Sequence, residues 1–272
     1  MPVEVASLSV AEIRRRLDDS ESPPAAELLL ALQFDSRKGV RALYRRLCNR
    51  ERRRELWKAR LNALLRYERG LWRRGVRWVA GVDEAGVGPL AGPVVAAAVI
   101  LQPGTQLLGV DDSKRLTPSQ REAAARQVLA SAAAVAVGVA SVEEIDSINI
   151  LQASRLAMAR AVESLRIDPE FVLVDARRIP GVASPQRSLE KGDSRSLSIA
   201  AASIIAKTRR DRMMIELDRR FPGYGFARHK GYPTAAHRRA LRQQGACPAH
   251  RSTFSLTPQA SDECEEDSIR LK

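Results

Sequence analysis

Short apolar stretches alternate with longer helical patterns over residues 78–255, and this alternation limits the fold more than any other feature of the sequence. The first four stretches are rich in Val, Ile, Leu and Ala, and Gly, Pro or polar residues bound them. Such stretches are typical of β-strands. With a fifth, more polar stretch, they predict strands at 78–83, 94–101, 132–140, 171–174 and 186–191.

Helical segments lie between and after these strands. Thr117 with Gln120, and Ser141 with Glu144, have the spacing of a capping box, so we expect a helix to begin at each. The remaining helices are predicted at 151–165, 197–220 and 234–244. Three strands followed by strand–helix units favour an α/β fold, with helices on both faces of a mixed five-stranded sheet.

The basic residues are concentrated ahead of this region. The chain has a formal net charge of +13, and residues 37–77 alone hold 16 basic and 3 acidic side chains. Short helices are expected after Ser9 and near 25–33, and a long one at 41–74. The apolar side chains of the long helix fall on one stripe, formed by Trp57, Leu61, Leu64, Leu65 and Trp72. Three interpretations stay open, namely a solvated surface helix, an accessory arm that neutralises phosphates, and a helix on a membrane surface.

Several classes of protein are excluded by composition and patterning. The longest apolar run, 91–101, contains Gly92 and Pro93 and is too short to span a bilayer. Residues 1–17 carry charges that a secretory signal would lack. The three cysteines are far apart and have no metal-knuckle spacing, which fits a reducing compartment. We therefore expect a cytoplasmic protein without a membrane partner.

Carboxylates follow three of the predicted strands. Asp83 and Glu84 end the first strand and precede a turn rich in Gly and Pro, Asp175 ends the fourth, and Asp193 comes just after the fifth. If these three strands are parallel neighbours, all four carboxylates meet at one edge of the sheet. Crowded carboxylates repel one another unless a cation binds them, and oxygen ligands suit Mg²⁺ or Mn²⁺. Two such ions can activate water and stabilise the leaving oxygen of a phosphodiester.

Five motifs, in order along the chain, resemble those of bacterial ribonuclease HII. The first is the stretch 80–96, which reads AGVDEAGVGPLAGPVVA, and the second is Asp112-Ser113-Lys114. The others are 172–175, 191–207 and 224–234. The resemblance covers about residues 76–255, and the residues ahead of it are similar to the extension of Bacillus-type members. It implies a ribonuclease H-like fold and cleavage of RNA in RNA–DNA hybrids, with nicking on the 5′ side of ribonucleotides embedded in DNA.

The resemblance also implies residue roles. Asp83, Glu84, Asp175 and Asp193 would be the catalytic carboxylates and the ligands of two Mn²⁺ or Mg²⁺ ions in the presence of substrate. Asp83 would lie between the ions, and the products would carry a 3′-hydroxyl and a 5′-phosphate. Tyr232 would pack against the sugar that follows the ribonucleotide. Substrate contacts are expected at Gly86, Val87, Gly88, Ser113, Lys114, Lys191, Arg195, Lys207, His229, Lys230 and Tyr232.

Two positions depart from the family pattern. Val87 stands where the family has an arginine between two glycines, and Ala176 stands where a glycine usually follows the aspartate of the fourth strand. Valine offers neither a charge nor hydrogen-bond donors to a phosphate. We therefore expect weaker activity at single embedded ribonucleotides.

The sequence thus predicts a helical basic extension at 1–75, a catalytic domain at 76–255 and an acidic tail at 256–272, in a chain that acts as a monomer. Two rival interpretations remain. One is an integrase- or resolvase-like DNA nuclease on the same fold, and the other is a nucleic-acid-binding relative with weakened catalysis.

Overall fold

The computed structural model describes residues 5–19, 25–105, 107, 109–110 and 113–255. The acidic tail predicted at 256–272, and Asp112 of the second motif, lie outside the described residues. The chain divides into two compact units, Met1–Arg60 and Leu61–Lys272.

The first unit is helical. Its helices are α1 (Val10–Asp18), α2 (Ala26–Gln33) and the larger part of α3 (Lys38–Leu64). The Ser9 hydroxyl accepts from the backbone N–H of Glu12 and begins α1, as the capping pattern predicts. A small apolar core holds the unit together, formed by Val5, Ile13, Leu17, Leu32, Val40, Leu43 and Leu47.

The predicted long helix 41–74 is interrupted at Leu65. Helix α3 ends at Leu64, and α4 (Arg66–Trp72) begins after the single residue Leu65, whose ψ is 7° rather than helical. Leu61, Leu64 and Leu65 of the predicted stripe are buried in the second unit. Trp57 and Trp72 are half-buried.

The second unit is built on one five-stranded sheet. The strands are β1 (Val79–Ala85), β2 (Val94–Ile100), β3 (Ala134–Ala140), β4 (Phe171–Asp175) and β5 (Gln186–Leu189). Their spatial order is β3-β2-β1-β4-β5, with β1, β4 and β5 parallel and β2 antiparallel to both of its neighbours. The predicted mixed sheet is confirmed. The first predicted strand, 78–83, ends too early, however, because Glu84 and Ala85 still pair with β2 inside β1.

Helices cover both faces of this sheet. The helices on the sheet are α5 (Pro118–Ser131), α6 (Val142–Glu163) and α7 (Leu197–Arg220), while α8 (Phe226–His229) and α9 (Ala235–Gln244) pack beside α7 and the loop after β1. Helix α6 covers one face and α5 and α7 cover the other, so the strands between them are buried on both sides. Single 3₁₀ turns lie at Val5–Ser7, Ser113–Arg115 and Gly192–Ser194.

Two local features explain how these helices are placed. Capping boxes at Thr117 and Ser141 begin α5 and α6 as predicted, and the left-handed Asn149 (φ 67°) divides α6 where the sequence predicts a second helix. Helix α7 approaches β1 closely, because a Cβ at Gly81 would lie 2.1 Å from the carbonyl carbon of Ser198. None of the helices that the described residues form is long and apolar enough to cross a membrane.

Candidate active site

The sheet topology brings the four predicted carboxylates to one edge. Asp83 and Glu84 lie in the last three residues of β1, Asp175 is the last residue of β4, and Asp193 lies in the 3₁₀ turn after β5. The register pairs Val82 with the residue before Asp175, so the two parallel strands reach this edge together. Carboxyl ends of parallel strands are where α/β sheets bind ligands.

Burial and mutual repulsion destabilise the charged forms of Asp83, Glu84 and Asp175. Asp83 and Asp193 are each 5% exposed, while Glu84 and Asp175 are half-buried. Burial, and then the charges of Glu84 and Asp175, raises the pKa of Asp83 well above its usual value. Burial and the charge of Asp175 raise the pKa of Glu84 to about 7. Burial is the main cause of the raised pKa of Asp175, the charge of Asp193 adds to it, and the backbone N–H of Gly192, 2.6 Å away, opposes it.

Little protein charge offsets this repulsion. The Nζ of Lys114 lies 3.4 Å from Oδ2 of Asp193, at the end of a side chain that is 80% exposed. The Oε2 of Glu84 is buried, and none of the residues that the structure describes gives it a hydrogen-bond partner. A buried carboxylate oxygen with no donor fits a divalent cation, since oxygen-only ligands suit Mg²⁺ and Mn²⁺. Among the described residues no three His, Cys, Asp or Glu side chains already form a group that could hold an ion.

The loop between β1 and β2, here called the glycine-rich loop (residues 86–93), adjoins these carboxylates. Gly86 has φ 100°, and a Cβ there would lie 2.1 Å from Nε of Arg210, so only glycine fits. Val87 is 39% exposed. A Cβ added to Gly88 would lie 4.0 Å from Cε1 of Tyr232, so that ring faces the loop.

Arg251 supports the backbone of the glycine-rich loop through hydrogen bonds, and no pattern in the sequence predicts this role. Its guanidinium is fully buried and donates five hydrogen bonds to backbone carbonyls. The acceptors are Gly86 (2.5 Å), Val87 (3.0 Å), Pro89 (2.7 Å) and, twice, Gly92 (2.8 and 3.0 Å). Burial lowers the pKa of Arg251 to about 9. The planar, forked guanidinium suits several fixed acceptors at once.

Arg210 of α7 is a second residue of this kind. It is also fully buried, and it donates to the carbonyls of Ala91 (3.1 Å), Pro93 (3.0 Å) and Lys230 (3.0 Å). It thereby ties the glycine-rich loop to the segment that carries Tyr232. Helical spacing is the sequence signal that could have predicted the burial of Arg210. Arg210 lies four residues after Ala206 and seven after Ser203, so it shares one face of α7 with these two buried residues.

Tyr232 lies at the edge of the site and is 42% exposed. Its carbonyl contacts Nδ1 of His237 at 2.9 Å, and His237 contacts His250 Nε2 to Nε2 at 3.0 Å. Burial lowers the pKa of His237 to about 4. The Nζ of Lys207 lies 5.8 Å from the centre of the tyrosine ring. His237 therefore holds the backbone carbonyl of Tyr232, and His250 supports His237 in turn. The tyrosine ring itself stays partly exposed beside the glycine-rich loop.

Several of the predicted phosphate contacts already have protein partners. The hydroxyl of Ser113 lies 2.9 Å from that of Ser203, and Nζ of Lys207 lies 2.7 Å from Oδ1 of Asp211. His229 contacts the Tyr224 carbonyl through Nε2 at 2.7 Å.

The other nitrogen of His229, Nδ1, accepts from the N–H of Gly231 at 3.2 Å. Lys230 donates to the carbonyl of Ala227. Lys191 and Arg195 are exposed beside the Asp193 turn. The structure thus brings the predicted residues together around one edge, but it leaves them unequally open to a ligand.

Ala176, the second departure from the family pattern, has a left-handed backbone (φ 54°). This conformation costs an L-residue roughly 1–2 kcal/mol relative to glycine. The N–H of Ala176 donates to the Leu189 carbonyl at 3.0 Å, which holds the residue in place directly after Asp175. The backbone therefore explains why a glycine suits this position.

Comparisons with known proteins show which family this chain is similar to. A family model described as Ribonuclease HII matches residues 80–257, and one described as Ribonuclease HII N-terminal domain matches residues 9–72. The chain is 48% identical over 258 residues to Ribonuclease HII of Myxococcus xanthus, covering 94% of this chain and 88% of that protein. It is 50% identical over 254 residues to Ribonuclease HII of Geobacillus thermodenitrificans, covering 93% and 96%.

Solved structures give the same result for the fold. The crystal structure of a ribonuclease H2 from Pyrococcus horikoshii is similar with a TM-score of 0.57 and 29% identity. The similarity covers 72% of this chain and all of that one.

Proposed function

Because this chain belongs to the ribonuclease HII family and is a ribonuclease H, we propose that it cuts the RNA strand of RNA–DNA hybrids and nicks duplex DNA on the 5′ side of embedded ribonucleotides. The products are a 3′-hydroxyl and a 5′-phosphate. In this proposal the protein acts in the cytoplasm, where it takes part in the excision of ribonucleotides from DNA. The observation that carries the proposal is the meeting of four crowded carboxylates at the ends of three parallel strands, one of them with an unpartnered buried oxygen.

Asp83, Glu84, Asp175 and Asp193 are the proposed ligands of two divalent cations, Mn²⁺ or Mg²⁺. When bound, the ions would offset the repulsion among the carboxylates, activate water and stabilise the leaving oxygen. The protein itself supplies the carboxylates and their buried surroundings. The raised pKa values of Asp83 and Glu84 mean that these two carboxylates are costly to ionise without a cation, so a cation should bind them strongly once they are deprotonated.

Recognition of the ribonucleotide falls to the glycine-rich loop and Tyr232. Backbone amides at Gly86 and Gly88 can approach a 2′-hydroxyl closely because no side chain intervenes. The exposed ring of Tyr232 would pack on the following sugar and clash with a 2′-hydroxyl there. Since the 2′-hydroxyl distinguishes RNA from DNA, these two elements would select the junction.

Contacts to the sugar–phosphate backbone are proposed for the polar residues around the site. Lys114, Lys191 and Arg195 have the exposed side chains that such contacts need. Ser113, Lys207, His229 and Lys230 would have to exchange or share the partners described above. The residues 1–75 form the proposed basic extension, 76–255 the catalytic domain, and the chain acts as a monomer.

A second candidate function rests on Val87. A relative that binds ribonucleotide-containing duplexes but cuts them weakly would follow from the missing arginine, because valine cannot donate to a phosphate. The two candidates differ in metal-dependent cleavage, not in binding.

One gel comparison tests the proposal. The purified chain is incubated with Mn²⁺ or Mg²⁺ and an RNA–DNA hybrid, a DNA duplex with one ribonucleotide, or an all-DNA duplex. We expect cleavage of the first two and none of the third, with all cleavage lost in chelator. Cutting of the all-DNA duplex would favour the DNA-nuclease interpretation, and binding without cutting would favour the second candidate.

The Val87→Arg variant tests how much activity is lost because Val87 stands where the family has an arginine. Restoring one charge-assisted contact should raise kcat/KM at a single embedded ribonucleotide by roughly 1–3 kcal/mol of transition-state stabilisation. Val87→Gln is the matched control, since it adds length and polarity without charge. An unchanged kcat/KM for the arginine variant shows that this position does not limit activity.

A further inference from the structure

We propose that a groove lined by four arginines binds backbone phosphates of the substrate duplex beyond the cleavage edge; this inference rests on the proposed function. The groove has a volume of about 480 Å³ and lies between α4 and strands β4 and β5. Its charged lining is Arg66, Arg74, Arg187 and Arg195. It is here called the arginine groove.

The charge of the arginine groove is uncompensated within its lining. All four guanidinium-bearing side chains are exposed, and the described residues that line the groove include no acidic side chain. Leu71, Phe171 and Leu173 form its apolar floor. Four like charges over an apolar floor repel one another and attract anions. Phosphates, like carboxylates, are anions that arginine binds through two parallel hydrogen bonds, and a nucleic-acid duplex supplies phosphates.

Tyr67 organises two of these arginines. The guanidinium carbons of Arg187 and Arg195 lie 5.1 and 5.6 Å from the centre of its ring. Nη2 of Arg195 also donates to the Tyr67 hydroxyl at 2.5 Å. Nη1 of Arg195 donates to the Glu190 carbonyl at 3.2 Å as well, so a phosphate would share or exchange part of this guanidinium's hydrogen bonds. Cation–π contacts hold both guanidinium groups near one place. Less side-chain entropy is then lost when a phosphate binds.

Glu68 fixes α4 beside the segment that follows the 3₁₀ turn Gly192–Ser194, the turn that carries Asp193. Its side chain is fully buried, and its Oε1 accepts from the Ser196 hydroxyl (2.6 Å), the Ser198 hydroxyl (2.7 Å) and the Ser198 N–H (2.9 Å). Ser196 comes three residues after Asp193. The buried carboxylate therefore joins the helix that carries Arg66 to the segment that carries a proposed metal ligand.

The extent of the groove favours a polymer over a single anion. Residues 66 to 74 span about 12 Å along the chain at helical rise. One strand of a duplex presents a phosphate about every 3.4 Å of helix axis. Arg195 lies two residues from Asp193, so the groove begins next to the site where the proposed cut occurs. A strand leaving that site could place more than one phosphate among the arginines.

The test is equilibrium binding of labelled duplexes in chelator, which prevents cleavage. The double variant Arg66→Gln/Arg187→Gln removes two of the four charges. Arg126→Gln on α5 is the matched control, because it removes an exposed arginine over the β2–β3 half of the same sheet face. We expect the dissociation constant of the double variant to rise on the order of tenfold per lost contact near 0.1 M salt. The slope of log K against log salt should fall by about 0.9 per contact.

Two further measurements distinguish phosphate contacts from recognition of the ribonucleotide and from an effect on the cleavage step. The loss should be equal for an RNA–DNA hybrid and an all-DNA duplex of the same sequence, because phosphate contacts do not read the sugar. With Mn²⁺, KM should rise while kcat stays near that of the wild type. Unchanged affinity and slope, or a loss confined to the hybrid, would overturn the inference. Failure of the wild type to cut either ribonucleotide-containing substrate would instead overturn the proposed function, and the binding result would still report on the groove.

Discussion

Two groups of buried charge adjoin the glycine-rich loop, and they are stabilised in opposite ways. On one side are the carboxylates, where Asp83 is 5% exposed and an oxygen of Glu84 has no partner within the described part of the chain. On the other are Arg210 and Arg251, which are fully buried and donate three and five hydrogen bonds to backbone carbonyls. The carboxylates repel one another and leave Glu84 Oε2 without a donor among the described residues, although Asp83 and Asp175 each accept from a backbone N–H, whereas the two arginines donate only to neutral carbonyls.

The difference separates a binding function from a structural one. A buried charge whose hydrogen bonds are complete stabilises the backbone around it, and removing it leaves several carbonyls without donors. A buried charge that lacks partners lowers stability until a ligand arrives. Neutralising the two groups should therefore have opposite effects on stability, and only the carboxylates should be needed for the chemistry itself.

Asp83→Asn should give the largest effect. Removing a proposed ligand of both ions should lower kcat/KM by about 10⁴-fold, or ~5 kcal/mol. In chelator the same variant should unfold at a higher urea concentration than the wild type, because one repulsive buried charge is gone. Steady-state kinetics and urea titration measure the two effects. The exposed Asp168→Asn is the control, and we expect it to change neither. Lower stability of Asp83→Asn would remove the basis of the comparison.

Arg251→Met should change stability in the other direction. It leaves the carbonyls of Gly86, Val87, Pro89 and Gly92 without their donors, so the free energy of unfolding should fall by about 4 kcal/mol. Arg126→Met, an exposed substitution of the same kind, should cost far less. Urea titration in chelator compares them. A cost no greater than that of the control would mean that Arg251 does not support the loop.

The pH dependence of stability sharpens the comparison further. Glu84 has a pKa of about 7 in the folded chain and an ordinary value of 4.5. Between these values the folded state holds more protons than the unfolded state, so the free energy of unfolding falls as pH rises. Relative to Glu84→Gln, the wild type should lose on the order of 2 kcal/mol across this window in chelator. The difference between the two proteins isolates Glu84 from His237, whose lowered pKa acts in the opposite sense.

Saturating Mn²⁺ should reduce that difference, because the ion would favour the ionised carboxylate. Parallel pH profiles for the wild type and Glu84→Gln in chelator would show that Glu84 ionises normally in the folded chain.

The carboxylate side of the comparison could be predicted from the sequence, and the arginine side could not. Asp83, Asp175 and Asp193 follow strand patterns, and parallel strands bring their carboxyl ends together by geometry alone. Arg210 and Arg251 break the expectation that charged residues are exposed, and their acceptors are carbonyls from distant segments. The end of β1 was missed for a related reason. Pairing with β2 carries the strand past Asp83, although polar residues usually end strand patterns.

Ala176→Gly should give the smallest effect and tests whether backbone strain also contributes at the carboxylate side. Glycine relieves the left-handed conformation at φ 54° but gains freedom in the unfolded chain, so the net gain in the free energy of unfolding should be roughly 1 kcal/mol or less. Ala183→Gly, in an exposed loop without a positive φ, should instead lose a few tenths of a kcal/mol. If kcat/KM of Ala176→Gly stays at the wild-type level while stability rises, the strain is incidental to Asp175. A fall in kcat/KM with higher stability would mean that the strained alanine helps to orient Asp175, and the carboxylate side would then depend on its backbone as the arginine side does.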